Sequence, residues 1–381
     1  MPTVNHLTPL ITALEMGLLL WAGYLFVLTI AGLSVPRQTP LFPHPRHRFA
    51  ILIPAHNAAS LLPGLLDSLA AQRYPRELYD VYLVADRCRD YTARIARRGG
   101  AIVYEYAGGE THADSDAALR WLLSRVQEAP KAYDAFILLR PRDRISANFL
   151  QVMDARLGRG ETVIQARRYR PPKAPKSTSL FREATQALEE VIWPLGQEVL
   201  GGAAPLRSEG FCLAAYLLRP MGWDGEPTAP PVGEVALFLV GERITLAPDA
   251  VVTLHPAEPT SGATGPRPGG RWAPLALLKA GWQQRSRRSG GRHSLLKLFL
   301  TRLTPPLLPF CGLALLILGL HGVLLLSSPQ VRTPASLGLA GLLLTGVLGI
   351  LMTGRLVSRS FEGENAANPP SLPVCLPPRR S

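Results

Sequence analysis

Two stretches decide the fold: ILIPAHNAASLLPGLLDSLAAQRYP (residues 51–75) and YDVYLVADRCRDYTARIARRGGAIVYE (residues 79–105). In each, a short apolar run typical of a buried strand precedes apolar residues at helical spacing. The predicted elements are a strand at Phe49–Pro54, a helix from about Ala59, a strand at Tyr79–Ala85, a helix over roughly Tyr91–Arg98 and a strand at Ala101–Tyr106. Strands that alternate with helices favour a largely parallel sheet with both faces covered, so we predict an α/β domain.

A further buried strand is predicted at Ala135–Leu139, within YDAFILLRPRDRISANFLQVM (residues 133–153). Asp86 and Arg140 directly follow two of the predicted strands. In parallel α/β sheets, ligands bind beyond the carboxyl ends of the strands. The sequence therefore predicts a ligand site at the edge that holds Asp86 and Arg140.

Three long apolar runs predict a membrane protein. Residues 16–35 form an uncharged run of 20 residues, and residues 305–327 and 334–352 form two more, separated by a short link. About 20 apolar residues cross a bilayer as a helix, so we expect one N-terminal anchor and a C-terminal hairpin. Buried core helices are the alternative interpretation of these runs.

The distribution of Lys and Arg predicts the topology. Residues 1–15 contain neither, whereas seven lie between residues 279 and 302. Because basic residues mark the cytoplasmic side, we expect an extracytoplasmic N-terminus and a cytoplasmic main domain in a multi-pass protein of the inner membrane. The expected segments are residues 1–15 outside, 16–35 in the membrane, 36–282 as the cytoplasmic domain, 283–304 as a basic juxtamembrane stretch, 305–327 and 334–352 in the membrane, and 353–381 as a cytoplasmic tail.

The net charge of +13 does not by itself indicate a nucleic-acid partner. Much of the basic excess lies beside the apolar runs, above all in RSRRSGGRH (residues 285–293). Such stretches set topology and contact anionic lipid, and no nucleic-acid motif accompanies them. The four cysteines are isolated in the sequence, which predicts reduced thiols.

The two opening stretches, in this order and spacing, resemble the first half of family-2 glycosyltransferases of the GT-A fold, over about residues 48–282. The resemblance implies a GT-A (Rossmann-like) domain flanked by membrane helices, and a nucleoside-diphosphate sugar as the donor. Pro54, His56 and Asn57 match the opening nucleotide-binding loop of the family. Asp86 matches the aspartate that contacts the base, and Asp90 the acid that follows it; capping of the next turn is the competing interpretation of Asp86.

The resemblance fails where the family places its chemistry. The metal-binding Asp-x-Asp falls on Arg140 and Arg142, and guanidinium groups repel a divalent cation. The Lys-Gly of another family motif falls on Ser115 and Asp116. The catalytic aspartate falls on Pro230, which has no ionisable group. The Gln-x-x-Arg-Trp motif keeps Arg271 and Trp272 but loses its glutamine.

Two functions follow as hypotheses. The first is a catalytically degenerate glycosyltransferase-like protein that acts as a structural or binding subunit of a membrane complex, with no cofactor. Its expected partners are the bilayer, integral-membrane proteins and a nucleotide or nucleotide-sugar, and not nucleic acid. The alternative is an active, metal-independent inverting transferase of the hexosyl type. In that case Arg140 and Arg142, together with Arg271 and Trp272, would bind the phosphates.

Overall fold

The structure is a computed structural model, and it describes residues 3–36, 38–41, 44–107, 115–171, 179–206, 210–218 and 242–254. Both C-terminal apolar runs, residues 305–327 and 334–352, lie outside the described residues, as do Pro230, Arg271 and Trp272. The described chain divides into two compact units. We call residues 3–35 and 179–201 the helical unit, and the described residues from 36 to 171 and from 202 to 254 the sheet unit.

The sheet unit alternates strands and helices along its first half. Its strands are β1 (Phe49–Ala55), β2 (Tyr79–Asp86), β3 (Ile102–Tyr106), β4 (Ala135–Leu138), β5 (Asp143–Ile145), β6 (Val163–Tyr169), β7 (Phe211–Ala214) and β8 (Ile244–Leu254). Its helices are α2 (Leu62–Ala70), α3 (Thr92–Arg98), α4 (Ser115–Gln127) and α5 (Phe149–Leu157). The predicted strands are confirmed to within one residue at each end.

The eight strands form one sheet in the order β3-β2-β1-β4-β7-β6-β8-β5. The pairs β1–β2, β2–β3, β1–β4 and β6–β8 are parallel, whereas β4–β7, β6–β7 and β5–β8 are antiparallel. The prediction of a largely parallel sheet holds for the first four strands, which the βα alternation covers. It is wrong for β5, which follows β4 through a short turn and pairs antiparallel with β8, and for β7, which pairs antiparallel with β4 and β6.

The helix predicted from about Ala59 begins three residues later, at Leu62. Ala58 instead closes a turn, in which its carbonyl accepts the backbone N–H groups of Leu61 and Leu62 at 3.1 and 3.0 Å. A proline stands in the first turn of the helix, where its missing N–H costs nothing. The leucines of α2 then pack into the main core between the sheet and helices α2, α3 and α5.

The helical unit contains α1 (Thr3–Leu33) and a long helix over residues 179–199 that the sequence analysis did not predict. The second helix consists of α6 (Ser179–Ala187), a π-helical turn (Leu188–Ile192) and α7 (Trp193–Val199). Ala187 and Trp193, which flank the π turn, both have right-handed helical backbone angles, so the helix continues through it.

Two glycines bring α1 and α7 into backbone contact. A Cβ at Gly32 would stand 2.0 Å from the carbonyl oxygen of Ile192, and a Cβ at Gly196 would stand 2.1 Å from that of Leu28. Trp193 Nε1 also donates to Thr29 Oγ1 at 3.1 Å. The glycines therefore allow the two helices to approach each other more closely than larger residues would permit.

Helix α1 contains most of the predicted N-terminal apolar run (residues 16–35), up to Leu33. Among the described residues, Met16–Leu33 is the single helical stretch with the length and hydropathy of a membrane span, at a mean hydropathy of 2.0. The helix begins at Thr3 and ends at Leu33, so it includes most of the residues that we expected to precede the span.

Candidate functional site

The candidate site lies at the edge of the sheet where β1, β2, β3 and β4 end. These four strands are mutually parallel, so their carboxyl ends meet at one edge. Register then decides which side chains share a face. Pro54 of β1 pairs with Val84 of β2, which lies two residues before Asp86, and Asp86 pairs with Tyr106 of β3. Because side chains alternate along a strand, Pro54, Asp86 and Tyr106 share one face of the sheet.

The loop after β1 is fixed by hydrogen bonds to the loop after β2. His56 Nδ1 lies 2.7 Å from the carbonyl oxygen of Asp86, so Nδ1 carries the proton in this bond. Asn57 Nδ2 lies 3.1 Å from His56 Nε2, which then accepts, and Asn57 Oδ1 accepts the backbone N–H of Arg89 at 2.9 Å. This chain of bonds brings together the predicted site residues His56, Asn57 and Asp86. Both the His56 and Asn57 side chains stay exposed at the edge.

Asp86 is nearly buried, with its side chain 4% exposed. Its Oδ1 accepts a hydrogen bond from Nε of the next residue, Arg87, at 3.0 Å. Within the described chain, no protein donor bonds to Oδ2. The carboxylate is thus held in place through one oxygen while the other remains able to accept a ligand N–H.

Arg87 and Asn57 are the two non-glycine residues of the described chain with positive φ, at 45° each. Asparagine adopts this left-handed conformation readily, but an arginine there carries a cost of about 1–2 kcal/mol. Two bonds hold Arg87 in it: the side-chain bond to Asp86, and a bond from its backbone N–H to the carbonyl of Tyr106 at 3.0 Å. Arg87 was not among the predicted site residues, because no sequence signal marks an arginine for left-handed backbone.

Asp90, a predicted nucleotide-binding residue, is used within the protein. Its Oδ2 accepts the backbone N–H of Ala59 at 3.0 Å, and its Oδ1 accepts from the backbone N–H and the hydroxyl of Thr92. Burial alone would raise the pKa of the Asp90 carboxyl, but these hydrogen bonds outweigh it and lower the pKa below its usual value. Asp90 therefore fastens the loop after β1 to the start of α3.

The strand β4 ends at a turn formed by residues 140–143. The backbone N–H of Asp143 donates to the carbonyl of Arg140 at 2.9 Å, and Asp143 Oδ2 accepts the backbone N–H of Arg140 at 2.7 Å. The Asp143 side chain is fully buried, whereas Arg140 and Arg142 are half-buried. Asp143 thus closes the turn from inside, between two arginines that are each partly exposed.

The resemblance to glycosyltransferases implies a divalent cation at this turn. Mn²⁺ and Mg²⁺ bind oxygen ligands, and carboxylates above all. Positions 140 and 142 offer guanidinium groups, and the adjacent carboxylate of Asp143 points inward to a backbone N–H. These residues do not fit a divalent cation.

A third arginine, Arg144, turns back onto α2. Its guanidinium donates to the carbonyls of Asp143 and Leu61 at 2.9 and 3.2 Å, and it lies where a Cβ at Gly64 would stand. Burial lowers the pKa of Arg144, while the carboxylates of Asp67 and Asp143 oppose that shift. Arg144 therefore packs between the turn and α2, a role that only the fold reveals.

Comparison with known proteins supports the fold. No protein-family model matches the chain, and no curated protein matches it either. Among solved structures, the chain is similar to a mannosyltransferase from Pyrobaculum calidifontis, solved in complex with GDP-Man and Mn²⁺. The TM-score is 0.51 at 15% identity, over 93% of this chain and 98% of that one. The GT-A-like α/β fold predicted from the sequence is confirmed by this similarity.

Two weaker similarities to solved structures are also found. One is a segment of S. aureus TarS in complex with UDP-GlcNAc, with a TM-score of 0.44 at 17% identity over 67% of this chain and 72% of that one. The other is glucosyl-3-phosphoglycerate synthase from Mycobacterium tuberculosis, with a TM-score of 0.35 at 15% identity over 61% of this chain and 75% of that one.

Proposed function

We propose that this chain is a membrane-anchored, glycosyltransferase-like protein that binds a nucleoside diphosphate without metal and acts as a structural or binding subunit of a membrane complex. The observation that carries the proposal is the turn at residues 140–143. Asp143, the carboxylate next to the two arginines, closes this turn from inside. The turn therefore presents guanidinium groups where the resemblance places metal-binding acids.

The nucleotide part of the proposal rests on the edge formed by β1 and β2. The His56–Asn57 loop is ordered by three hydrogen bonds, and Asp86 Oδ2 can accept an N–H from a base. Arginine binds diphosphate through paired N–H groups, so Arg140 and Arg142 could supply the charge that a metal usually supplies. GDP-Man in the mannosyltransferase of similar fold supports a nucleotide-sugar as the class of ligand.

The non-catalytic part rests on the sequence. A general base typically contributes 10²–10⁴-fold to the rate of such a reaction. The family position for that base is Pro230, which lies outside the described residues. The proposed location is the inner membrane, with α1 as one of three spans and the sheet unit in the cytoplasm. Integral-membrane proteins are the proposed partners.

The binding proposal is tested by calorimetric titration of the full-length protein in detergent with UDP and with GDP. We expect binding that neither Mn²⁺ nor a chelator changes, because the turn offers no carboxylate pair to a cation. Asp86→Ala, Arg140→Ala and Arg142→Ala should each lower the affinity, by about 10-fold or more if each removes one charge-assisted hydrogen bond. Arg159→Ala is the matched control, since Arg159 is exposed and donates to the carbonyl of Pro40 at 2.8 Å, away from the strand ends that form the site.

Two results would contradict parts of this proposal. Affinity that appears only with Mn²⁺ would show that a metal site exists after all. Turnover of a nucleotide-sugar by the wild type, lost in Arg140→Ala or Arg142→Ala, would establish the metal-independent transferase instead of the binding subunit.

The membrane topology is tested by reporter fusions. We expect fusions after Ser327 and after Ser381 to report opposite sides of the membrane, because the excess of Lys and Arg places the C-terminal tail in the cytoplasm. Both reporters on the same side would refute the hairpin.

A further inference from the structure

An aromatic cluster lies beside the candidate site on the same face of the sheet as Asp86. Tyr104 and Tyr106 belong to β3, and Trp121 belongs to α4, which covers this face. The ring centroids of Tyr106 and Trp121 are 5.4 Å apart with the planes tilted by 46°, and those of Tyr104 and Trp121 are 6.0 Å apart at 84°. Trp121 therefore supports the Tyr106 ring from one side.

Tyr106 differs from the other members of the cluster in its position. It is the last residue of β3, and its strand partner in register is Asp86. Neighbouring strands are about 4.8 Å apart, so the backbones from which the Tyr106 and Asp86 side chains extend are separated by about that distance. The ring is half-buried, and Ala107 after it is exposed, so Tyr106 stands at the open edge of the sheet.

The backbone around Tyr106 is fixed by Arg87. The carbonyl of Tyr106 accepts the N–H of Arg87, a residue held at a φ of 45°. Backbone strain of this kind occurs mainly at functional sites, where the surrounding structure maintains it. Here it ties the end of β3 to the end of β2, and so fixes the Tyr106 ring relative to Asp86.

We propose that Tyr106 is a stacking platform for the base of the nucleotide, with Asp86 Oδ2 accepting an N–H from the same base. This inference rests on the proposed function and identifies the part of the ligand that the β2–β3 edge binds. A planar ring supported on one face, next to a carboxylate with one oxygen able to accept, matches the two features of a nucleobase: a π face and polar edge groups. Stacking tolerates every base, so UDP and GDP should both use Tyr106.

The test compares nucleotides with a ligand that lacks the base. Calorimetric titrations of the full-length protein in detergent use UDP, GDP and inorganic pyrophosphate as probes. Tyr106→Leu should weaken UDP and GDP binding by about 5-fold or more, since stacking on an aromatic side chain contributes about 1–3 kcal/mol per base. The affinity for pyrophosphate should not change, which also shows that the variant is folded. Tyr106→Phe should bind like the wild type.

A matched control is Tyr91→Leu, because Tyr91 is 65% exposed and contacts Arg94. We expect this variant to bind all three probes normally. Unchanged UDP and GDP affinity in Tyr106→Leu, with a loss in Asp86→Ala, would overturn the stacking role and leave the proposed function standing. Equal losses of pyrophosphate and nucleotides in Tyr106→Leu would show a structural role and overturn the inference as well. A wild-type protein that binds no nucleotide would overturn the proposed function and the inference together.

Discussion

Asp154→Ala is expected to lower the free energy of unfolding of the protein by about 3–5 kcal/mol, because it leaves several buried donors without an acceptor. Asp154 lies on α5 and is 3% exposed. Its Oδ1 accepts from the backbone N–H groups of Arg46 and His47 at 3.0 and 2.9 Å, from His47 Nδ1 at 2.8 Å and from the Tyr74 hydroxyl at 3.1 Å. One carboxylate thus fastens the segment before β1 to both α5 and Tyr74.

Tyr74 depends on the same carboxylate. Burial, together with the negative charge of Asp154, raises the pKa of the Tyr74 hydroxyl, which therefore stays protonated and donates. The hydroxyl also lies 2.7 Å from the carbonyl of His47. Tyr74→Phe removes only this hydroxyl, so its expected cost is about 0.5–1.5 kcal/mol.

The measurement is a denaturant titration of the full-length variants in detergent, with unfolding monitored by circular dichroism. Asp134→Ala is the matched control, because Asp134 is an exposed aspartate that accepts one backbone N–H, that of Arg48, at 2.7 Å. Its expected effect is about 1 kcal/mol or less. Equal losses in Asp154→Ala and Asp134→Ala would show that the buried cluster does not stabilise the segment before β1.

The second large effect is expected at the two contact glycines of the helical unit. Gly32→Ala and Gly196→Ala each place a Cβ about 2 Å from a backbone carbonyl oxygen of the neighbouring helix. Backbone atoms cannot move aside as a flexible side chain can, so α1 and α7 must separate. Overpacking of this kind typically costs about 1–3 kcal/mol. We therefore expect a lower thermal midpoint in detergent for both variants.

Helix α1 provides its own controls. A Cβ at Gly17 or Gly23 would meet nothing within 4 Å. Alanine is the better helix former by up to about 1 kcal/mol, so Gly17→Ala and Gly23→Ala should leave the midpoint unchanged or raise it slightly. If all four alanine variants behaved alike, the close contact between α1 and α7 would be refuted.

The sequence predicted the strands of the first half of the sheet because their signal is local. Phe49–Pro54 and Tyr79–Ala85 are uninterrupted apolar runs, and the observed strands β1 and β2 extend only one residue further. A strand that is buried on both faces needs such a run whatever its neighbours are. The same run also placed Asp86 at a strand end, where the structure puts it.

The helix over residues 179–199 was missed because its sequence carries opposing signals. Glu189 and Glu190 interrupt the apolar pattern, and Pro194 and Gly196 are poor helix residues in isolation. The helix instead packs through Gly196 against α1, a segment about 160 residues earlier in the chain. Contacts between segments this far apart in sequence leave no periodic signal in either one.

By itself, the sequence determined the α/β fold, the apolar N-terminal helix and the arginines at positions 140 and 142, because each is a matter of residue type in a short stretch. Only the tertiary structure decided which groups these residues meet. Asp90 turned out to fasten a loop, Asp143 to close the turn beneath the arginines, and Tyr106 to lie opposite Asp86. The physical reason is strand register, which depends on how whole strands pair and fixes which side chains share a face.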